Sequence, residues 1–284
     1  MSLGILTNVA ATYAENNLNQ TQNSLQNVLQ QLSSGSRINS GADDAAGLSI
    51  ADGLTANEAA LTQSAQNAQN GVGLLQTADG ALSQVTNLLD RAVTLATEAS
   101  NGGLTLAQSG AADTEFQSIL GEIGNIGSTT NFNSTAVFNG AGATNFVLTD
   151  GTSAGVTTIS AAATALTATS IGGVTFSAAD TLTGATAAAG QTSAGTTLTA
   201  ITSAIAGISA ERGAIGANIN QLNAAANVAS SEEVNLSSAQ SSILSTNFGQ
   251  ATSDLAKFQV LSQTGISALA QANSSQQEIL KLLQ

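Results

Sequence analysis

Adjacent carboxylates are the side chains in this 284-residue sequence that are best placed for acid–base or metal chemistry. Asp43 and Asp44 form one such pair, and Glu232 and Glu233 form a second. The sequence has neither His nor Cys, so it offers no imidazole or thiolate ligand, no Ser-His-Asp or Cys-His triad and no disulfide. Carboxylates at the start of a helical pattern are typical of a helix N-terminus, where they meet the positive end of the helix dipole. We therefore expect Asp43 and Asp44 to cap a helix, and we expect no catalytic site, metal or cofactor.

Basic side chains are few, and one of them interrupts an apolar pattern. Five Lys and Arg residues oppose 18 acidic ones, which gives a formal net charge of −13 and a surface that repels nucleic acid. Arg212 lies among Ile residues, where burial is costly unless a carboxylate or carbonyl receives the guanidinium. We expect Arg212 to set the register of neighbouring helices or to bind a neighbouring helix, and not to act in catalysis. No run approaches the roughly 20 apolar residues that cross a bilayer, so no membrane insertion is expected.

Apolar residues at heptad spacing predict helices that pack side by side. The spacing persists over residues 11–32, 54–96 and 198–226, and a fourth stripe follows one face of residues 255–283. Polar amides and hydroxyls occupy the other faces, so each stripe needs a second helix to cover it. The predicted seam residues are Leu18, Leu25, Leu32, Leu54, Leu61, Leu75, Leu82, Leu89, Ile205, Ile208, Arg212, Ile215, Ile219, Leu222, Leu255, Phe258, Leu261, Leu269, Leu280 and Leu283.

The middle of the chain has the residue pattern of short strands and not of helices. Short strands are predicted at 136–140, 145–151, 155–159 and 173–176, with Asp150-Gly151 as a tight-turn signal. The predicted fold is mainly α: a long antiparallel helical rod, with coiled-coil-like terminal helices and a helical bundle, that carries a small central insertion rich in β-hairpins.

Breaks in these patterns predict the domain boundaries. Ser33 to Ser36 interrupts the first helix, and Glu232-Glu233 predicts a solvated step between two helical segments. We expect a terminal coiled-coil domain at 1–42 and 233–284, a helical rod domain at 43–132 and 196–232, and a short, outward-facing β-rich region at 133–195.

The run LSSGSRINSGADDAAGLSIA, from Leu32 to Ala51, closely resembles bacterial flagellin. Residues 208–217 and 235–241 and the C-terminal end are also similar to that family. The resemblance implies a non-catalytic subunit of the extracellular flagellar filament, exported unfolded through the flagellar type III channel and polymerised at the distal tip for swimming motility. Implied partners are further copies of the chain, an export chaperone, the filament cap and hook-associated junction proteins. Arg37, Asn39, Asp43 and Asp44 would form the spoke and helix cap beside an inner tube of terminal helices.

The resemblance also implies a contact with an innate immune receptor of the Toll-like class. Arg91, Leu95 and Glu115 match the positions that recognised flagellins use for it. The alternative for these three residues is a plain contact between rods.

Three other function classes compete with a filament subunit. A hook–filament junction protein would share the terminal helices but would not form long tubes by itself. A surface adhesin would bind through residues 133–195. A flagellin with a metallopeptidase insertion needs a His-Glu-x-x-His helix, which a sequence without His excludes.

Overall fold

The computed structural model describes residues 8–138, 144–152, 155–161 and 163–282. In these ranges the chain forms five α-helices, which are α1 (Val9–Ser34), α2 (Ala45–Ala99), α3 (Leu106–Thr129), α4 (Ala187–Leu244) and α5 (Phe248–Leu282). The mainly α prediction is confirmed. Helix α3 is an addition to the predicted helices, and α4 continues through Glu232-Glu233, so the predicted step between two segments there is wrong.

Three two-stranded antiparallel sheets lie between α3 and α4. Their strands are β1 (Asn131–Phe132), β2 (Thr135–Ala136), β3 (Thr144–Leu148), β4 (Thr157–Ala161), β5 (Ser170–Ile171) and β6 (Val174–Thr175). The strand expected at 136–140 is limited to the end of β2, because residues 137 and 138 are not in a strand and 139–140 lie outside the described residues. The small central insertion rich in β-hairpins is confirmed.

Local side-chain hydrogen bonds explain where several helices begin and end. The Asn8 side chain caps the start of α1, and Gly35, directly after the last helical residue, caps its end with a left-handed φ of 71° that suits glycine. Helix α3 begins with a capping box, in which Thr105 and Gln108 each accept a hydrogen bond from the other's backbone.

The chain divides into two compact units. Unit one comprises Met1–Ala56 and Asn235–Gln284, and unit two comprises Asn57–Val234. Within the described part of unit one, the buried apolar residues are Val28, Ile38, Ala51 and Ala251. Unit two has a continuous core from α2, α3, α4 and the strand-bearing segments. Unit one therefore has much less buried apolar surface than unit two to stabilise it.

Candidate assembly surface

Helices α1 and α5 of unit one pack antiparallel. The Asn8 side chain donates to the Ala272 carbonyl at 3.0 Å, and farther along α1 the Leu18 side chain packs over Gly265. A Cβ on Gly265 would lie 3.3 Å from a Leu18 methyl carbon, so the absent side chain lets the two helices approach closely. The seam residues of unit one that are half-buried are Leu18, Leu25, Leu32, Leu54, Leu255, Phe258 and Leu269. The side chain of Leu280 and all of Leu283 lie outside the described residues.

Large apolar side chains on this helix pair remain in solvent. Tyr13 on α1 is 69% exposed, and on α5 Val260 is 62% and the predicted seam residue Leu261 is 43% exposed. Further exposed apolar residues of unit one are Val9, Leu29, Ile50, Phe248 and Ile266. Each helix can cover only one face of its partner, so these side chains need a partner that unit one does not supply.

A crossover joins the end of α1 to the junction between α4 and α5. Ser36 and Ser245 form an isolated antiparallel bridge. The Arg37 backbone donates to the Leu244 carbonyl at 2.6 Å, and its guanidinium donates to the Ile243 carbonyl at 2.9 Å. Arg37 thus places a positive charge on carbonyls at the C-terminus of α4, which have no helical partner and carry the negative end of the dipole.

Asp43 and Asp44 have separate roles in the loop before α2. Asp44 caps the helix by accepting from the Gly47 backbone at 2.9 Å. Asp43 lies outside the helix and accepts from the backbone N–H groups of Asn39 at 3.0 Å and Ser40 at 2.9 Å, and from the Ser40 hydroxyl at 3.0 Å. These hydrogen bonds, of which the one from Asn39 has the largest effect and those from Ser40 follow, hold the pKa of the Asp43 carboxyl below its ordinary value of 3.8. The pair therefore orders the loop and the start of α2, and shows no geometry for acid–base catalysis.

The seams of unit two are more deeply buried. The predicted seam residues that are buried there are Leu61, Leu75, Leu82, Leu89, Ile208, Ile215 and Leu222. Ile205 and Ile219 are half-buried. Arg212 pairs with Asp79 on α2, with Nε and Oδ1 2.7 Å apart, and this hydrogen bond raises the pKa of Arg212. Of the two kinds of partner expected for Arg212, a carboxylate or a carbonyl, the structure therefore provides a carboxylate in the same unit.

Residues 163–183, named the strap, are held by side chains of α3 and α4. The Glu211 carboxylate accepts from the Thr164 backbone at 2.7 Å and also from the Thr164 hydroxyl. At the other end, Asp113 accepts from the Leu182 backbone at 2.7 Å. The buried apolar residues of the strap are Leu166, Ile171, Phe176 and Leu182. The strap is therefore part of the core of unit two.

Missing side chains on the helices make room for the strap backbone. A Cβ on Gly127 of α3 would overlap the Leu166 carbonyl oxygen, and one on Gly207 of α4 would overlap that of Gly172. Gly172 itself has a φ of +57°, and a Cβ there would overlap the Ala204 carbonyl oxygen. Glycine at these three positions allows backbone to pack directly on helix.

Arg91 and Glu115 form an exposed ion pair between α2 and α3, with Nε and Oε1 2.7 Å apart. The hydrogen bond to Arg91 lowers the pKa of the Glu115 carboxyl. Leu95 is only 3% exposed and belongs to the core of unit two. Contact with an immune receptor stays a prediction, in which the receptor would meet the ion pair and not the Leu95 side chain.

The sequence patterns did not identify the apolar face of α3, the role of Asp79 or the glycines under the strap. Phe116, Ile119 and Ile123 are buried on α3 at spacings of three and four, a signal that predicts a helix. Asp79 lies between Leu75 and Leu82 in the heptad run, yet its pairing with Arg212 depends on register, which neither local sequence reveals. No spacing or motif in the sequence indicates that backbone packs against Gly127 and Gly207.

These features define a helical structural protein with uncovered apolar faces. Among the described residues, no group of three acidic side chains could hold a metal ion. No helix in the described ranges has the length and apolar character needed to span a membrane.

Known protein families and relatives agree with this class. Residues 5–143 match the family described as bacterial flagellin N-terminal helical region, and residues 198–283 match bacterial flagellin C-terminal helical region. Flagellin 1 of Proteus mirabilis is 39% identical over 140 residues, which cover 49% of this chain and 38% of the relative. Flagellin B of Vibrio cholerae is 37% identical over 141 residues, which cover 50% of this chain and 38% of the relative. The crystal structure of Bacillus cereus flagellin matches with a TM-score of 0.45 and 26% identity, over 57% of this chain and 88% of that one.

The chain belongs to the bacterial flagellin family. Its alignments span only 38% of the length of these two curated relatives. Flagellins are structural proteins of the extracellular flagellar filament, which confirms the predicted class, its non-enzymatic character and its location.

Proposed function

We propose that this chain is a subunit that assembles with copies of itself into the helical filament of a bacterial flagellum for swimming motility. The observation that carries the proposal is the set of exposed apolar side chains on α1 and α5, among them Tyr13 and Val260. A second copy offers helices of the same kind, with Ser, Asn and Gln around each stripe and little charge to oppose close packing. Burial of these faces between copies would stabilise both the filament and the α1–α5 pair.

The proposal includes export in an unfolded state through a flagellar type III channel and addition at the distal tip beneath a cap. The sparse burial in unit one supports it, because terminal helices that gain most of their burial on assembly cost little free energy to keep unfolded before it. The proposed partners besides further copies are an export chaperone, the filament cap and hook-associated junction proteins. The terminal domain at 1–42 and 233–284 would form the inner tube, and 133–195 would face outwards.

Polymerisation of purified chain tests the proposal. With filament seeds or a salting-out agent, the wild type should form long tubes visible by electron microscopy. The Val260→Asp variant should keep its helical circular dichroism but raise the critical concentration at least about tenfold, because each loss of about 1.4 kcal/mol of contact free energy costs a factor of ten. A charge buried between copies without a partner costs that much or more.

Val156→Asp is the matched control. Val156 is 51% exposed in unit two, so the same substitution there adds the same charge at a position outside α1 and α5. It should polymerise near the wild-type concentration. A wild-type chain that never forms long tubes would favour the junction-protein alternative, and wild-type assembly by Val260→Asp would overturn the role of the α5 face.

A further inference from the structure

Asn-Gly dipeptides occur three times in the chain, at Asn70, Asn101 and Asn139. In this dipeptide the glycine backbone nitrogen can approach the side-chain carbonyl carbon of the asparagine, because glycine has no Cβ to obstruct the approach and few backbone restrictions. The third dipeptide, Asn139-Gly140, lies outside the described residues. The other two differ in structure: one lies in an exposed turn and the other inside a helix.

Asn101-Gly102 lies in the short connection between α2 and α3, where both residues are exposed. The Asn101 backbone N–H donates to the Glu98 carbonyl at 3.0 Å. Within the described ranges, no hydrogen bond holds either the Asn101 side-chain amide or the Gly102 backbone N–H. The two reacting groups can therefore rotate towards each other without breaking a hydrogen bond.

Asn70-Gly71 lies inside α2, where the Gly71 N–H takes part in the helical hydrogen-bond ladder. Gly71 is buried, and a Cβ there would lie 2.9 Å from a methyl carbon of Leu222 and 3.0 Å from the Phe146 ring. For the Gly71 nitrogen to reach the Asn70 side chain, this turn of the helix would first have to open and leave its packing. The same dipeptide is thus protected by the fold at one site and unprotected at the other.

We propose that Asn101 is a site of spontaneous covalent modification, deamidation through a cyclic imide, and that Asn70 is protected from it. The Gly102 nitrogen attacks the Asn101 side-chain carbonyl carbon and forms a new C–N bond. The bond from that carbon to the amide nitrogen breaks, and ammonia leaves with the proton that the Gly102 nitrogen loses. Water then opens the imide at either carbonyl and gives aspartate or isoaspartate, so no oxidant or further reactant is needed.

The reaction changes unit two in a way that accumulates with the age of the molecule. It adds one negative charge to a chain of net charge −13, two residues beyond the last residue of α2, where the dipole disfavours an anion. Isoaspartate also lengthens the main chain between α2 and α3 by one carbon. Old molecules would therefore carry a more acidic and looser turn at this surface.

Peptide mapping by mass spectrometry after timed incubation of the folded full-length chain tests the proposal. Aspartate and isoaspartate should accumulate at Asn101 at least roughly tenfold faster than at Asn70, because reaction at Asn70 waits for local unfolding. In denaturant the two sites should react at similar rates. Equal rates at the two sites in the folded chain would overturn the proposal.

Gly102→Ala is the control variant. Gly102 does not have a positive φ, and the added Cβ would meet only the flexible end of the Gln191 side chain, at 3.0 Å. The variant should keep the wild-type circular dichroism and slow the reaction at Asn101 roughly tenfold, because the new methyl group hinders the attack. An unchanged rate in a folded variant would contradict the mechanism. If the variant does not fold, the comparison of Asn101 with Asn70 in the wild type decides alone.

Discussion

Single glycines decide whether the strap can lie on the helices of unit two. Gly127 and Gly121 both occupy α3, but they face different surroundings. A Cβ on Gly127 would overlap the Leu166 carbonyl oxygen, which is backbone and cannot move aside like a flexible side chain. A Cβ on Gly121 would have nothing within 4 Å. The two positions form a matched pair within one helix.

We expect Gly127→Ala to lower the free energy of unfolding of unit two by about 1–3 kcal/mol, the usual cost of overpacking. Gly121→Ala should raise it by about 0.5–1 kcal/mol, because alanine loses less conformational entropy in a helix. Urea unfolding followed by circular dichroism measures both. Equal effects of the two substitutions would show that the strap does not pack on α3 in solution.

Asp43 gives the loop before α2 a dependence on pH. Its carboxyl has a folded-state pKa below the ordinary value of 3.8, so its stabilising effect is present above that value and is lost as the pH falls through the folded-state pKa. Asp43→Asn removes the charge that the Asn39 and Ser40 donors contact. The variant should unfold more easily than the wild type at neutral pH, and the difference should shrink below the ordinary pKa.

Thermal unfolding of both proteins between neutral and acidic pH measures this difference. All other carboxylates are the same in both chains, so the comparison isolates Asp43. A difference that grows on acidification would mean that the Asp43 contacts do not stabilise the folded state.

Helices α1 and α5 have the least burial in relation to their length. In the described part of α1 the buried residue is Val28, and most seam residues of the pair are only half-buried. We expect limited proteolysis of the monomer to remove both ends and leave a core near residues 43–232, because a weakly buried pair opens often. Assembled filaments should resist the same treatment. A monomer whose ends resist the protease as well as its core does would contradict the expected instability of the pair.

How far the sequence predicted these elements depended on how long a pattern persisted. The heptad spacing predicted α1, α2 and α4, and an apolar stripe along one helix face predicted α5, since apolar residues repeat there over many turns. Helix α2 ends two residues before Asn101, which two glycines follow, a composition that favours the end of a helix. Arg212 among Ile residues predicted a carboxylate or carbonyl partner, but the sequence could not identify it, because Asp79 is 133 residues away and the pairing follows from tertiary packing. Apart from the strand expected at 173–176, the strap escaped prediction because its other buried residues, among them Leu166 and Leu182, follow neither helical nor strand spacing.

At the scale of the whole molecule, the two units differ in how far apart in sequence their packed residues lie. Unit two is formed by one continuous stretch of chain, Asn57–Val234, whereas unit one combines two stretches from either side of it. Composition predicted no His- or Cys-based catalytic site, because both residue types are missing. It could not indicate which helix faces would remain uncovered, since that depends on the pairing of α1 with α5.

The hydrogen bond from Asn8 to Ala272 joins residues that are 264 positions apart. During synthesis at roughly 5–20 residues per second, α1 waits on the order of ten seconds or more before its partner helix exists. Helix α1 is therefore among the last helices to reach its final packing. Until then its apolar stripe is uncovered, and the nascent chain must be protected from aggregation.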